Sequence, residues 1–387
     1  MAKKTVNVAM IGAQFMGRAH SNGWRQVAAV FDSAHTPVMK VMCGAPGEDL
    51  SAAHKWGWQE TSHDWKEVVN RKDIDVIDIC TPNFLHPAMA IEAAKAGKHI
   101  VCEKPLSNTL KEGEEMLAAV KKAGIKHMCG FSYRFAPAVQ SIKKMLEKKA
   151  LGHIFHFRAA YQQDWIVDPD FPMVWRLKKK NTGSGALGDI GAHITDLCHF
   201  LVGDVCEVAS AMETFIKKRK ISSSNVGGIS GNKGKETGKF DTVDVDDAAV
   251  YIARLKGTDT LATFEATRFA PGRRNYNCIE IYGSEGSVLW NQEDMNEFHY
   301  FSRKDPGNLQ GFRKVQACDP GHPYVANWWP PGHTIGYEHL FVHEMHEFLN
   351  GLGKKQGAYP TFEDAVKCQR VLEAVEKAAG TKKWEKV

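Results

Sequence analysis

No stretch of the 387-residue sequence approaches the roughly 18 consecutive apolar residues that a membrane-spanning helix needs. Net charge is equally sparse, +5 over the whole chain, and much of the excess sits in one stretch, IKKRK…GNKGKETGK, between Ile216 and Lys239. That stretch lacks the interleaved aromatics on which single-stranded nucleic acids stack, so it reads as a solvated loop and no nucleic-acid partner is expected. The nine cysteines contain no C-x-x-C pair and no regular spacing, which leaves out a disulfide framework and a zinc ribbon. Several lie in apolar runs, where free thiols act as small hydrophobes, as expected in a reducing cytoplasm. The opening MAKKTVNVAMIG has a basic pair but too short an apolar run for a signal peptide. A soluble, cytoplasmic protein is the expectation, with no membrane partner and no internal repeat.

Two further gaps concern a cofactor. After the apolar run VNVAMIG comes IGAQFMGRAH, in which Gly12 and Gly17 fit the G-x-G-x-x-G turn of dinucleotide-binding proteins but Gln14 replaces the middle glycine. In that turn the first glycine permits the tight bend, the second admits the pyrophosphate and the third packs helix on strand. The turn, with Gln14, Phe15 and Met16 inside it, is therefore a cofactor candidate that keeps two of three tasks. The second strand ends VMKVMCGAPGED, so Cys43 and Gly44 stand where a ribose-binding carboxylate is usual, and Asp32 precedes the strand. NAD is the expected cofactor, with NADP left open.

What is present is a rhythm. Up to about residue 130, the apolar runs VNVAMIG, VMKVMC, VIDICTP, HIVCEKP and IKHMCGF alternate with amphipathic stretches such as HPAMAIEAAKAGK and LKEGEEMLAAVKKAG. Continuous apolar strands separated by helices predict a doubly wound parallel sheet covered on both faces. Beyond residue 135, HIFHFRAAYQQDW alternates every second residue, and DDAAVYIARLK, TLATFEATRF, YNCIEIYGSEGSVLWN and EFHYFSRK follow without long helices between them. These predict a large, mainly antiparallel sheet. The expected division is α/β: residues 1–134 as a dinucleotide-binding domain and 135–387 as a substrate and oligomerisation domain, with a mobile loop at about 217–241 and a last helix at about 362–379.

Three clusters fall where ligands of parallel sheets bind, beyond the carboxyl ends of strands, or carry acid–base chemistry. CTPNFLH ends the fourth run, with Thr81, Pro82, Asn83 and His86. CEKP ends the fifth, with Glu103 and Lys104 ahead of a proline that stops the strand. In GSGALGDIGAHITDLCHFLVG, Asp189 and His193 are four apart, which on a helix places both on one face; a carboxylate one turn from a histidine can orient it as a general base. On YEHLFVHEMHEFLNG, His339, His343 and His346 share a helix, but HEMH is one residue short of the zinc motif H-E-x-x-H, so a packed face is expected and no metal.

These segments together resemble the Gfo/Idh/MocA family of NAD(P)-dependent oxidoreductases, and the resemblance runs from GAQFMGRAH to EIYGSEGSV. Within the family, YQQDW, GSGALGDI, VDVDD and EATR…GRRNY resemble the members that oxidise pyranosides at C3. The resemblance implies a Rossmann domain followed by an α/β domain whose open sheet forms a homodimer or homotetramer. It implies that Lys104, Asp189 and His193 are the catalytic group, with Lys104 touching both substrate hydroxyl and nicotinamide ribose. Gly12, Gln14, Phe15, Met16, Gly17, Cys43, Gly44, Thr81, Pro82, Asn83, His86, Glu103, Trp175 and Arg176 would hold the cofactor. Tyr133, Arg134, Gln163, Asp164 and Trp165 would border the carbohydrate. The implied reaction is oxidation of a secondary hydroxyl of a sugar, glycoside or anhydrosugar, His193 taking the proton and Lys104 polarising the oxygen. Two alternatives are an NAD-dependent glycosidase working by transient oxidation and elimination, and a non-catalytic cofactor-sensing regulator.

Overall fold

The computed structural model describes residues 4–222, 236–355, 357 and 359–387. The chain divides into two compact units, one of residues 1–135, 326–329 and 334–366, the other of residues 136–325, 330–333 and 367–387.

The first unit is built on a six-stranded parallel sheet of β1 (Lys4–Ile11), β2 (His35–Cys43), β3 (Glu60–Ser62), β4 (Val76–Ile79), β5 (His99–Cys102) and β6 (His127–Cys129), in the order β3-β2-β1-β4-β5-β6. All neighbours run parallel. The five apolar runs become β1, β2, β4, β5 and β6. The edge strand β3 is a sixth, its three residues ETS lacking any apolar signal. Val76, Ile77 and Ile79 of β4, and Ile100 and Val101 of β5, are fully buried, as expected where both faces are covered. The covering helices are α1 (Phe15–Val30), α2 (Ala53–Trp56), α3 (Trp65–Asn70), α4 (His86–Lys95) and α5 (Leu110–Ala123). Their ends follow local chemistry: Asp64 caps α3 by accepting from the Lys66 and Glu67 amides, and Thr109 and Glu112 form a reciprocal capping box on α5. The strand order reverses between β1 and β4, which makes the carboxyl end of that pair the crevice where such sheets take ligands.

The tightest point of this unit lies there. Gly12 turns the chain at φ 110°, and a Cβ on it would stand 2.7 Å from the Cys80 carbonyl. A Cβ on Gly17 would stand 2.0 Å from the Gly12 oxygen. Helix α1 can reach the sheet only because both side chains are absent.

The second unit opens with α6 (Pro137–Glu147) and β7 (Ile154–Gln162), then α7 (Lys179–Thr182) and α8 (Ala192–Leu201). Its sheet also contains β8 (Val205–Glu213), β11 (Ala248–Leu255), β12 (Leu261–Thr267), β13 (Tyr276–Gly283), β14 (Gly286–Asn291), β15 (Glu297–Ser302), β16 (Arg313–Gln316) and the short β17 (Glu385–Lys386). The nine strands run β16-β15-β14-β13-β7-β12-β11-β8-β17, antiparallel except for the parallel β7–β12 pair. Alternation in β11 is strict: Ala249, Tyr251 and Ala253 are buried, while Val250 and Ile252 are exposed. The loop expected at 217–241 is corrected in its flanks, where β9 (Lys218–Ser222) and β10 (Glu236–Thr242) pair antiparallel; 223–235 lie outside the described residues. Two helices complete the chain, α9 (Glu338–Gly351) within the first unit and α10 (Phe362–Thr381), which is longer at its carboxyl end than the sequence signals suggested.

Gly17→Ala is expected to destabilise the protein by about 1–3 kcal/mol, the usual cost of overpacking, because a backbone oxygen cannot give way as a side chain would. A urea midpoint equal to the parent's would refute the close-approach explanation.

Candidate active site

Within the first unit, three of the expected clusters converge on the carboxyl ends of β1, β4 and β5. The Gly12 amide donates to the Cys43 carbonyl at 2.8 Å, the Cys80 amide to Ile11 at 2.8 Å and the Glu103 amide to Ile79 at 2.9 Å, so the turns after these strands are laced together. Helix α1 starts at Phe15, and its first amides, unpaired within the helix, carry the positive end of its dipole. Phe15 is 60% exposed at that end.

Gln14 does not stand over the turn. Its side-chain amide donates to Glu48, whose other oxygen accepts the Ala45 amide at 2.8 Å. Glu48 lies five residues beyond the end of β2, in the loop that follows Cys43 and Gly44. Those two are buried, and burial pushes the Cys43 thiol up to about 12, a packing role. A glycine cradle, a free helix start and a carboxylate beyond the second strand together fit a dinucleotide.

Thr81 and Pro82 are half-buried after β4. Asn83 is buried and donates to Asn108 at 2.7 Å. His86, expected against the cofactor, is instead fully buried, its nitrogens 2.8 Å from the Thr81 carbonyl and 3.1 Å from that of Pro105. Burial lowers its pKa, opposed by the Thr81 and Pro105 carbonyls, and the ring sits between the two turns. Glu103 is likewise buried beneath half-buried Lys104, and accepts the Lys104 amide at 3.2 Å. Tyr133 and Arg134, expected at the carbohydrate, are both 3% exposed; Tyr133 packs beside Tyr337, and Arg134 faces Asp364 at 3.6 Å.

In the second unit the geometry gathers around Asp189. The sequence spacing placed Asp189 and His193 on one α-helix; the structure corrects this, with Asp189 in a π-helical turn, Leu187–Gly191, that runs into α8 and His193 in the first turn of α8. Such wide turns break the regular ladder and recur at functional sites. The turn is anchored by buried Asp246, which accepts the Gly185 amide at 2.6 Å and the Leu187 amide at 2.8 Å. Arg268, 1% exposed, donates to the Asp246 carbonyl at 3.1 Å and stands 3.9 Å from the Asp189 carboxylate. Its guanidinium also lies 5.5 Å from the centre of the Trp165 ring. His193 is buried, its ring 5.8 Å from that of Tyr161. The Tyr161 hydroxyl donates to Asn275 at 2.6 Å, and Gln163 donates to the same oxygen at 3.0 Å. Asp164 accepts from the Gly272 amide and Arg274, both at 3.2 Å. Trp175 stacks under Arg176 at 4.3 Å; burial lowers the Arg176 pKa, opposed by Asp189. Arg268, Asp246, Tyr161 and Asn275 were not singled out in the sequence, although EATR, VDVDD, YQQDW and GRRNY contain them.

The histidines of α9 face packing partners. His343 is buried, its Nδ1–H donating to the Phe135 carbonyl at 2.9 Å and its Nε2 accepting from Trp328 at 2.7 Å. His346 stacks on Phe31 and bonds Ser33 at 2.8 Å, and His339 accepts the Gly336 amide at 3.0 Å. Trp328 belongs to this cluster.

The sequence matches two family models, one described as "Oxidoreductase family, NAD-binding Rossmann fold" over residues 6–131 and one as "GFO/IDH/MocA C-terminal domain" over residues 139–289. Levoglucosan dehydrogenase of Pseudarthrobacter phenanthrenivorans is 39% identical over 384 residues, 98% of each chain. The D-apiose dehydrogenase of Paraburkholderia graminis is 30% identical over 83% of this chain and 75% of its own. Among solved structures, levoglucosan dehydrogenase in complex with NADH and levoglucosan is 38% identical over 99% of each chain, with a TM-score of 0.92. An oxidoreductase domain protein from Kribbella flavida is 43% identical over 99% of each chain, with a TM-score of 0.93.

Burial pulls His343 down to about 3, while an unfolded histidine titrates near 6.5. The unfolded chain therefore binds the extra proton between those values, and the stability that neutral His343 contributes is full above about pH 6.5 and lost as pH falls toward 3. Thermal melts from pH 7 to pH 4 are expected to show a shallower decline for His343→Gln than for the parent; parallel declines would contradict this. With its glycine-cradled strand-to-helix turn, its Glu-Lys-Pro turn after β5 and its similarity along nearly the entire length, the chain belongs to the Gfo/Idh/MocA oxidoreductase family.

Proposed function

We propose that the protein is an NAD-dependent dehydrogenase that oxidises a secondary hydroxyl of a sugar, glycoside or anhydrosugar to a ketone, at C3 of a pyranoside. The observation that carries this reading is the position of Lys104, at the carboxyl end of β5 and on the same sheet edge as the Gly12–Gly17 turn. The similarity to levoglucosan dehydrogenase along almost the full chain supports the substrate class.

Oxidising an alcohol removes a proton from oxygen and a hydride from carbon. Gly12, Gly17, the first amides of α1 and the turn after β4 would hold a dinucleotide, which supplies the hydride acceptor. His193 takes the hydroxyl proton, with the negative charge of Asp189 favouring the imidazolium that results. Lys104 hydrogen-bonds the same oxygen and stabilises the charge that develops on it. Buried Arg268 stands 3.9 Å from Asp189 and faces that carboxylate with an opposite charge. Gln163, Asp164 and Trp165, tied to Asn275, Gly272 and one another, form a rigid polar border for the ring hydroxyls. Glu48, beyond β2, disfavours a ribose phosphate by like-charge repulsion, which supports NAD over NADP. The exposed Val250 and Ile252 on the open face of the nine-stranded sheet support assembly of copies through that face.

Lys104→Ala and His193→Ala are each expected to lower kcat on a pyranoside substrate by about 10²–10⁴-fold, with NADH affinity by fluorescence titration within about threefold of the parent. Near-parent turnover in either variant would remove that residue from its role. Glu48→Ser is expected to raise the NADP to NAD ratio of kcat/KM by about tenfold, the effect of about 1.4 kcal/mol; an unchanged ratio would exclude Glu48 from cofactor selection.

A further inference from the structure

One buried cluster of the first unit is used by none of these steps. His20, on α1, is fully buried, with Nδ1 3.0 Å and 3.1 Å from the two oxygens of Asp78 and Nε2 2.9 Å from Glu103. Both ring nitrogens meet carboxylates, so both must donate. A neutral ring would turn a lone pair toward one anion. Burial is the largest single influence on His20 and lowers its pKa, but the charge and hydrogen bonding of Asp78 together with Cys80 outweigh it and the net shift is upward. Asp78, on β4, also accepts from Trp24, one turn along α1, at 2.7 Å and from the Cys80 thiol at 3.5 Å. Glu344, on α9, is fully buried without a hydrogen-bond partner, and burial raises its pKa. Tyr337, near the same groups, is held neutral by burial and by Tyr133 and Glu103.

We propose that His20 is a positioning residue for the reaction, an imidazolium that ties the dinucleotide-turn helix to Glu103 and thereby fixes the backbone and side chain of Lys104. The inference rests on the reading of Lys104 as the group that polarises the substrate oxygen. Glu103 has one oxygen on His20 and the other on the Lys104 amide, and a Cβ at Gly130 would stand 2.5 Å from its first oxygen, so the carboxylate is closely confined on that side. A buried ion cluster is a poor source of stability, because desolvation offsets attraction. Its use here is orientation. His20, Asp78 and Cys80 are also close enough to hold a cation, but each donor atom of His20 and Asp78 is already engaged in the bonds above.

The test is a double-mutant cycle on kcat with the full-length enzyme, NAD and levoglucosan, accompanied by KM, NADH affinity and melting temperature. His20→Gln is expected to lower kcat by about 10–100-fold, the scale of a misplaced catalytic group, with KM and NADH affinity within about threefold. In the Lys104→Ala background the same change is expected to cost less than about threefold, since the group it positions is gone. An equal loss in both backgrounds, or an unchanged kcat for His20→Gln beside an inactive Lys104→Ala, would overturn the proposal alone. A fully active Lys104→Ala would overturn the reading of Lys104 and the proposal with it. Should His20→Gln fail to fold, Glu103→Gln, which preserves shape and one acceptor, runs through the same cycle with the same expected outcomes.

Discussion

The approach of α1 to the carboxyl end of β1 is the constraint from which the rest of the first unit follows. With no side chain on Gly12 or Gly17, the helix starts directly over the sheet edge, and its unpaired amides face the crevice where β1 and β4 part. The same approach brings His20 and Trp24 down onto Asp78 and Glu103. A single close contact therefore sets both the place for a dinucleotide and the ground beneath Lys104. Gln14, which first reads as damage to the turn, leaves it intact because its amide is engaged sideways with Glu48.

The second unit solves a different problem, that of holding a carboxylate and a histidine in fixed relation. A π turn gives Asp189 a position that a regular helix would not, and it persists because Asp246 satisfies the Gly185 and Leu187 amides at its start. Buried Arg268 then faces the partly exposed Asp189 carboxylate at 3.9 Å. Both devices come from β-strand ends or adjoining loops of the large sheet, whose pairing fixes them more firmly than a free loop could.

Much of this was legible in the sequence, for identifiable reasons. Parallel strands buried on both faces must be continuously apolar, so β1, β2, β4, β5 and β6 announce themselves, whereas β3 is too short and polar to do so. The alternation of β7 and β11 likewise marked a sheet with one open face. Helix type was not legible, because a π turn differs from an α turn by one residue of register, which no apolar period records. Glu48 escaped notice because four loop residues separate it from β2, and only the folded chain shows Gln14 reaching it. The spacing of the α9 histidines, one residue short of a zinc motif, favoured a packed face, but only the folded chain shows that Phe135, Trp328 and Ser33 are the partners of His343 and His346. Nor does sequence reveal that α9 belongs to the first unit, as its amphipathic pattern fits either sheet.

The central claim is that a carbon-bound hydrogen of a carbohydrate leaves as hydride to NAD. Levoglucosan carrying deuterium only at C3, incubated with the enzyme and NAD, tests it directly by mass spectrometry of the reduced cofactor. The account predicts one deuterium per NADH formed and a slowed rate relative to the unlabelled sugar. Absence of NADH with levoglucosan and a panel of pyranosides, or NADH free of deuterium, would contradict it.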